Sequence, residues 1–427
     1  MKRHLRRLAT RSREFSGLAV LLLLTGACGP TATDGELRLT GWVSSPREDD
    51  LVRAMLAEEI PEIAELDVAY DPIQANYPEK IQLMLATGTA PDVFMLDAFL
   101  IPALASYGTL QPLSFEAPPE AEPTEAEPTE ADPSISDFEP SLLAAFERDG
   151  QLYGLPKDYT TVALFYDPQA FEEVGLERPP ETWRELETWA ERLTTAPNAD
   201  GRVERYGFGV DPGLDFLLPF VWQNQGQLID GEGRLQPDDQ AAQEAIAWLQ
   251  ALQQSGIAVF SKDVGAAWNM DAFGRGSVAM TTSGYFATSF LDATFPDRRY
   301  EVAPLPVGRQ AATLAYVVGY VMPQKSRDPQ RARRLLQLLT GPRAQTYWSE
   351  QGIGLPPRRS VAEAQIEAGT PAAVFTEAAK DARIWQFGAN QRLVDELQTA
   401  LQAIYLTGEP IDAALHKAAS RLERLER

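Results

Sequence analysis

The sequence predicts an α/β protein in two lobes, each built on a mixed, mostly parallel sheet flanked by helices. Short apolar runs alternate with stretches of helical periodicity along the chain, which is the grammar of a parallel sheet covered on both faces. At 427 residues the chain exceeds what one ordinary core supports, so two lobes are expected. Hydrophobic residues at 44% and charged residues at 23% are the proportions of a globular protein.

The best-defined stretch is residues 77–97, YPEKIQLMLATGTAPDVFMLD. Tyr77, Ile81, Met84 and Leu85 recur at helical spacing, Gly88 supplies the left-handed residue past a helix end, and Pro91 stops the helix from resuming. Val93, Phe94, Met95 and Leu96 read as a strand covered on both faces. Asp97 stands where that strand leaves the sheet, the place where open α/β sheets collect ligands. It either meets a ligand or caps the helix that begins near Ala98.

The chain begins with a basic segment (Lys2, Arg3, Arg6, Arg7, Arg11, Arg13), an apolar core over 18–24 and the small residues Thr25, Gly26 and Ala27 before Cys28. That order is a secretory signal, and its apolar core is too short to span a bilayer. Residues 29–35 form a short tether. The first strand is expected over 36–43, a helix opening at Ser45, Pro46 and Glu48 with capping-box chemistry runs to about 59, and the second strand covers 66–70.

Residues 114–137 break the pattern. They are rich in Pro, Glu, Ala and Thr, with PTEAE and PTEAD in tandem, and their acids (Glu116, Glu120, Glu122, Glu125, Glu127, Glu130, Asp132, Asp137) have no basic residue among them. Such a segment buries too little apolar area to offset its ordering entropy and reads as a disordered acidic insertion. Beyond it, strands are expected at 152–156, 162–166, 206–210, 278–282 and 314–322, and helices at 168–174, from 182, and at 214–224, 238–255 and 270–276. Helices follow near 328–339, 342–351, 372–379, 390–406 and 411–425. Trp183 and Trp189 share the apolar stripe of Leu186, Ala190 and Leu193, so they read as core.

Composition excludes several functions. A net charge of -23 offers no counterion release on nucleic acid and is repelled by an anionic membrane surface. Two His and one Cys leave no ligand set of that kind for zinc or iron, and no disulfide within the chain. Neither GxGxxG nor GxxxxGK occurs where a strand meets a helix, and no GxSxG elbow accompanies the two histidines, His4 and His416. A carboxylate pair for glycoside hydrolysis is unspecific among so many acids. What remains is a set of aromatic and polar residues at predicted element ends: Asp97, Asp158, Tyr159, Trp222, Asn224, Trp268, Tyr285, Tyr316 and Trp385. Flat rings against C–H faces and carboxylates or amides against hydroxyls are what a sugar site requires.

The segments LATGTAPDVFMLD, GLPKDYTTVALFYDPQAF, PPETWRELETWAERL, FGRGSVAMTTSGYF, AYVVGYVMP and YLTGEPIDAALHKAASRLERL, in this order, resemble the extracellular solute-binding proteins of bacterial ABC importers, in the sugar-binding group that includes maltose-binding protein. LLTGAC resembles a lipoprotein signal whose cysteine is acylated, with Thr25 in place of the usual Leu. The resemblance implies a two-lobed periplasmic-binding-protein fold of type II with a ligand cleft between the lobes. It implies hinge strands at 163–167 and 302–306, an N-lobe of 36–162 plus 303–350, and a C-lobe of 167–301 plus 351–427.

The ligand-facing positions implied are Ser44, Ser45, Asp97, Asp158, Tyr159, Trp222, Ser283, Gly284, Tyr285, Ala315, Tyr316 and Trp385, beside Asn224 from the element ends. Tyr285 and Tyr316 stand where many sugar binders carry Trp, which points away from a long oligosaccharide. The implied partners are a small solute, foremost a mono- to short oligosaccharide, the permease subunits of the importer, and a membrane reached through lipid on Cys28. A monomer without catalytic residues, cofactor, metal or nucleic acid is expected. Lys157 keeps a sugar phosphate or an acidic solute open. A polyamine, an organic anion, iron held by tyrosines, a surface glycoside hydrolase and an adhesion or sensor role are the alternatives.

Overall fold

The computed structural model describes residues 35–42, 46–114, 135–230, 233–352, 354–384 and 390–425. The signal with Cys28, most of the tether, Ser44, Ser45, Trp385 and most of the acidic insertion lie outside the described residues.

Twelve strands are present among them: β1 (Leu37–Thr40), β2 (Val68–Tyr70), β3 (Val93–Asp97), β4 (Glu147–Arg148), β5 (Gln151–Leu152), β6 (Gly154–Tyr166), β7 (Tyr206–Val210), β8 (Ala258–Phe260), β9 (Val278–Gly284), β10 (Glu301–Ala303), β11 (Thr313–Val321) and β12 (Ala382–Ile384). The main sheet runs β2-β1-β3-β11-β6-β9-β7-β8, with β10 on β6 and β12 on β11; β4 and β5 form a separate hairpin. Two parallel triads stand at its ends, β2-β1-β3 and β8-β7-β9, and the antiparallel pair β11 and β6 joins them. β6 is shared: Gly154 to Thr161 pair with β11, and Val162 to Tyr166 pair with β9. The mixed α/β architecture expected from the alternation of strands and helices is therefore present.

Local chemistry sets the helices. Tyr77–Thr87 ends at Gly88, whose φ of +70° is the left-handed cap that glycine adopts without a Cβ clash. Trp183–Leu193 starts at Thr182, whose side chain accepts from the Glu185 N–H while the Glu185 carboxylate accepts from the Glu181 N–H. Asp239 and Asp328 cap Gln240–Gln254 and Pro329–Leu339 in the same way. Helices Pro329–Leu339 and Pro342–Glu350 bury Leu335, Leu336 and Trp348 with Leu37 and Leu39 of the first triad. Gln391–Gln402 and Ile411–Leu425 bury Leu397 and Leu415 with Phe208, Phe220 and Ile246 of the second. Trp183 stacks on Trp248 at 4.3 Å within that second core, as its periodicity requires.

Several expectations are corrected. The strands expected at 152–156 and 162–166 are, from Gly154 onward, one thirteen-residue strand, because the Pro156-Lys157 break is absorbed by a bulge: Val318 pairs with Asp158 and Gly319 with Pro156, leaving Lys157 without a ladder partner. Ile135–Asp137, expected as part of a disordered insertion, is a 3-10 turn. Asp137, whose own stretch of sequence holds no basic residue, pairs with Arg358 at 3.2 Å, a side chain only 1% exposed. Elements β8, β12 and the helices Arg359–Gln365 and Phe286–Thr294 have no counterpart in the sequence reading.

Candidate ligand-binding site

The carboxyl ends of β1, β3, β7 and β9 converge on one cleft, and β6 and β11 cross beneath it. Two cavities occupy it. The larger, about 410 Å³, is walled by Trp42, Arg47, Glu48 and Met95 on the side of the first triad and by Tyr285, Phe286 and Ser289 on the side of the second. Lys157, Asp158, Tyr159, Thr160, Tyr316 and Val318 come from the crossing strands, and Gly352 and Gly354 from a neighbouring loop. The smaller, about 170 Å³, is lined by Val162, Asp211, Asp215, Phe216, Trp268, Asn269, Thr282, Ser283, Gly284, Phe286 and Tyr316. Phe286 and Tyr316 belong to both walls.

Strand alternation decides which side chains of β6 face the cleft. The Thr160 hydroxyl accepts from the Tyr285 N–H at 2.6 Å and so ties the crossing strand to the end of β9. Thr161 turns away and donates to the Phe375 carbonyl at 2.7 Å, while Tyr159, which borders the larger cavity, is 4% exposed and packs in the central core. Burial pushes the Tyr159 phenol up to about 12. Lys157 is buried, pairs with the Asp158 carboxylate and lies 4.6 Å above the Trp348 ring. Gly354 packs against Asp158 so closely that a Cβ there would sit 2.7 Å from the Asp158 Cβ, and its φ of +153° excludes L side chains as well. Arg47 donates to the Gln351 carbonyl at 3.2 Å, joining the helix Pro46–Ala54 to the loop that carries Gly354.

Asp97 does not cap the 3-10 turn Ala98–Leu100 that follows it. Burial first, and the Asp158 charge second, push its carboxyl up to about 6. In the smaller cavity Tyr316 donates to Asp215 Oδ2 at 3.2 Å, and the Gly213 N–H donates to Asp211 Oδ1 at 2.8 Å. Burial raises the Asp211 carboxyl, and the Asp215 charge raises it further. Gly284 ends β9 at a close approach: a Cβ would lie 2.5 Å from Phe286 Cε1 and 2.9 Å from Thr160 Oγ1, so a side chain there would have to displace the ring. That close approach presents the Phe286 ring, 54% exposed, to both cavities.

Of the positions picked from sequence, Asp158, Tyr159, Tyr285 and Tyr316 stand on the larger cavity and Ser283, Gly284 and Tyr316 on the smaller. Four stand elsewhere, the first being Asp97, which lines neither cavity. The Asn224 amide donates to the Ala241 carbonyl and to Glu244, joining two helices. Trp222 packs on the second core with Arg383 5.8 Å from its ring, and Ala315 is 1% exposed between Thr161 and Ile384. Phe286, Thr160, Glu48, Arg47, Trp42, Asp211 and Asp215 were not picked. The rule that singled out Asp97, an acid at the carboxyl end of a strand, applies equally to Asp211 after β7. Among the described residues no group of three or more His, Cys, Asp or Glu could hold a metal ion, and no helix is long and apolar enough to cross a membrane.

Comparison with known proteins bears on the family and the fold. The chain is 26% identical over 309 residues to a putative binding protein of Brucella abortus (strain 2308), an alignment covering 67% of this chain and 71% of that one. It is 27% identical over 257 residues to the sn-glycerol-3-phosphate-binding periplasmic protein UgpB of Shigella dysenteriae serotype 1, covering 55% of this chain and 56% of that protein. Its fold is similar to that of the sugar-binding protein MalE from Xanthomonas citri, with a TM-score of 0.76 and 21% identity over 91% of this chain and 96% of the other. The model of the family described as bacterial extracellular solute-binding protein matches residues 65–346, well over half of the sequence. The chain is a member of that bacterial extracellular solute-binding protein family.

Proposed function

We propose that this protein captures a carbohydrate in the cleft and delivers it to the membrane permease of an ABC importer. The observation that carries the reading is the larger cavity, where the rings of Trp42, Tyr285, Phe286 and Tyr316 stand among the hydrogen-bonding groups of Glu48, Asp158 and Thr160. Rings cover the C–H faces of a sugar and carboxylates accept from its hydroxyls. The likeness to a sugar-binding MalE supports the same class of solute. The lobes hinge at 163–167 and 302–306, where β6 runs beside β10. A solute that touches both walls binds the closed form better, and closure is driven by that difference in affinity alone. No covalent step is involved. The signal ending at Cys28 supports export and a lipid anchor on the outer face of the membrane.

The likeness to UgpB raises a phosphorylated solute as the second reading. The charges of the site oppose it: Glu48, Asp158, Asp211 and Asp215 outnumber Arg47 and Lys157 on the walls of the two cavities, and Lys157 is already paired with Asp158. Calorimetric titration with mono- to tetrasaccharides and with glycerol 3-phosphate separates the two. Heat with a saccharide and none with glycerol 3-phosphate is expected; the reverse pattern overturns the carbohydrate reading.

A further inference from the structure

The smaller cavity differs from the larger in its charge. Its wall carries two carboxylates, Asp211 and Asp215, and neither Lys nor Arg. No ion pair among the described residues involves either acid. The two approach each other across Gly213: a Cβ on that residue would lie 2.5 Å from Asp215 Oδ1 and 3.0 Å from Asp211 Oδ1, so both oxygens border the space that its missing side chain leaves. The hydroxyl of Tyr316 and the N–H of Gly213 satisfy one oxygen of each. Neutral donors of this kind supply no opposite charge to the pair, of which Asp211 is partly buried and Asp215 exposed.

Four aromatic rings share the wall with Val162, Asn269, Thr282, Ser283 and Gly284. Trp268 and Phe286 lie 6.4 Å apart with ring planes at 22°, and Tyr316 and Phe216 complete the lining. Ring faces and carboxylates around a small space, with no resident cation, match the electrostatics of a positively charged nitrogen: the ring quadrupoles attract it and the acids neutralise it. The larger cavity, which holds Arg47 and Lys157, lacks that pattern.

We propose that the smaller cavity receives the positively charged amino group of an aminated carbohydrate, with Asp211 and Asp215 as its counter-charge and Trp268, Phe286 and Tyr316 as its walls. The sugar ring occupies the larger cavity, and Phe286 and Tyr316, common to both, mark the passage between ring and amine. The inference rests on the carbohydrate reading and narrows it to solutes that carry a basic nitrogen.

The test uses the mature full-length chain and probe pairs that differ in the amine alone: di- to tetrasaccharides of glucosamine and the same oligomers N-acetylated. Calorimetry and tryptophan fluorescence, to which Trp268 contributes, follow binding at low and at high salt. The expected result is that a free-amine oligomer binds at least tenfold more tightly than its acetylated partner. The preference should shrink with added salt and vanish in the Asp211→Asn/Asp215→Asn variant, whose fold circular dichroism checks. Equal or tighter binding of the acetylated oligomers by the unmodified protein overturns the amine assignment and leaves the carbohydrate reading standing. Absence of binding to both series overturns the amine assignment too, and saccharides without nitrogen, titrated in parallel, then report separately on the carbohydrate reading.

Discussion

Asp97 and Asp158 are both register partners of Val318, one on β3 and the other on β6, with β11 between them. Residues directly opposite in antiparallel pairs project from the same face, so the two acids and Val318 form one row across three strands. Val318 and Asp158 line the larger cavity, which places Asp97 on the same side of the sheet.

This row makes stability depend on pH with a definite sign. The Asp97 carboxyl rises from 3.8 to about 6 on folding, through burial and the Asp158 charge. Between those values the folded chain keeps a proton that the unfolded chain releases, so Asp97 costs stability as pH rises through that window and leaves a constant penalty above it, on the order of 2 to 3 kcal/mol. Asp97→Asn is therefore expected to raise the urea midpoint at pH 7.5, with the gain shrinking toward pH 4. A lower midpoint for the variant at pH 7.5 would count against the assignment.

Lys157 and Asp158 form the other dependence. The ammonium is 2% exposed and the carboxylate 19%, so each relies on its partner for the solvation it has lost. Lys157→Met should destabilise by about 3 to 5 kcal/mol, because it leaves a partly buried carboxylate without its cation. The double variant Lys157→Met/Asp158→Asn should recover much of that loss in thermal unfolding. Failure of the second change to restore stability would show that the pair is not what Lys157 is held for.

Gly284→Ala addresses the aromatic wall. The new methyl would overlap Phe286 Cε1 and press on Thr160 Oγ1, and the ring is the more movable of the two. Swinging Phe286 out of the cleft forfeits a ring-face contact of about 0.5 to 1.5 kcal/mol, so affinity for the bound sugar should fall roughly two- to thirteenfold with little change in thermal midpoint. Titration calorimetry reads the first quantity and a melting curve the second; unchanged affinity would remove Phe286 from the site.

Much of the architecture is written in local signals. Gly88, Pro91 and the apolar run before Asp97 mark a helix, its end and a strand, and Tyr206–Val210 and Ile411–Leu425 have the bounds their periodicity indicates. The continuity of β6 was hidden because a proline and two charged residues interrupt its pattern, and only the partner strand reveals that a bulge absorbs them. Helix Phe286–Thr294 escaped because FATSFLDAT mixes aromatic and β-branched residues that favour strands when read alone.

The site divides along the same line. Positions at the carboxyl ends of strands, such as Ser283 and Gly284, follow from a rule about sheets, whereas facing within β6 depends on register. Asp158 and Tyr159 were picked as a pair, yet successive residues of a strand point to opposite faces, and the Tyr159 ring went to the core. Asn224 looked like a ligand group until Ala241 and Glu244 were seen to occupy its amide.

The central claim is that the two walls of the cleft close around a sugar, and small-angle X-ray scattering with and without the tightest-binding saccharide of the calorimetric panel tests it most directly. The account predicts a smaller radius of gyration for the saturated protein than for the free one, with the change saturating at the calorimetric dissociation constant. Identical scattering curves at full saturation would contradict it.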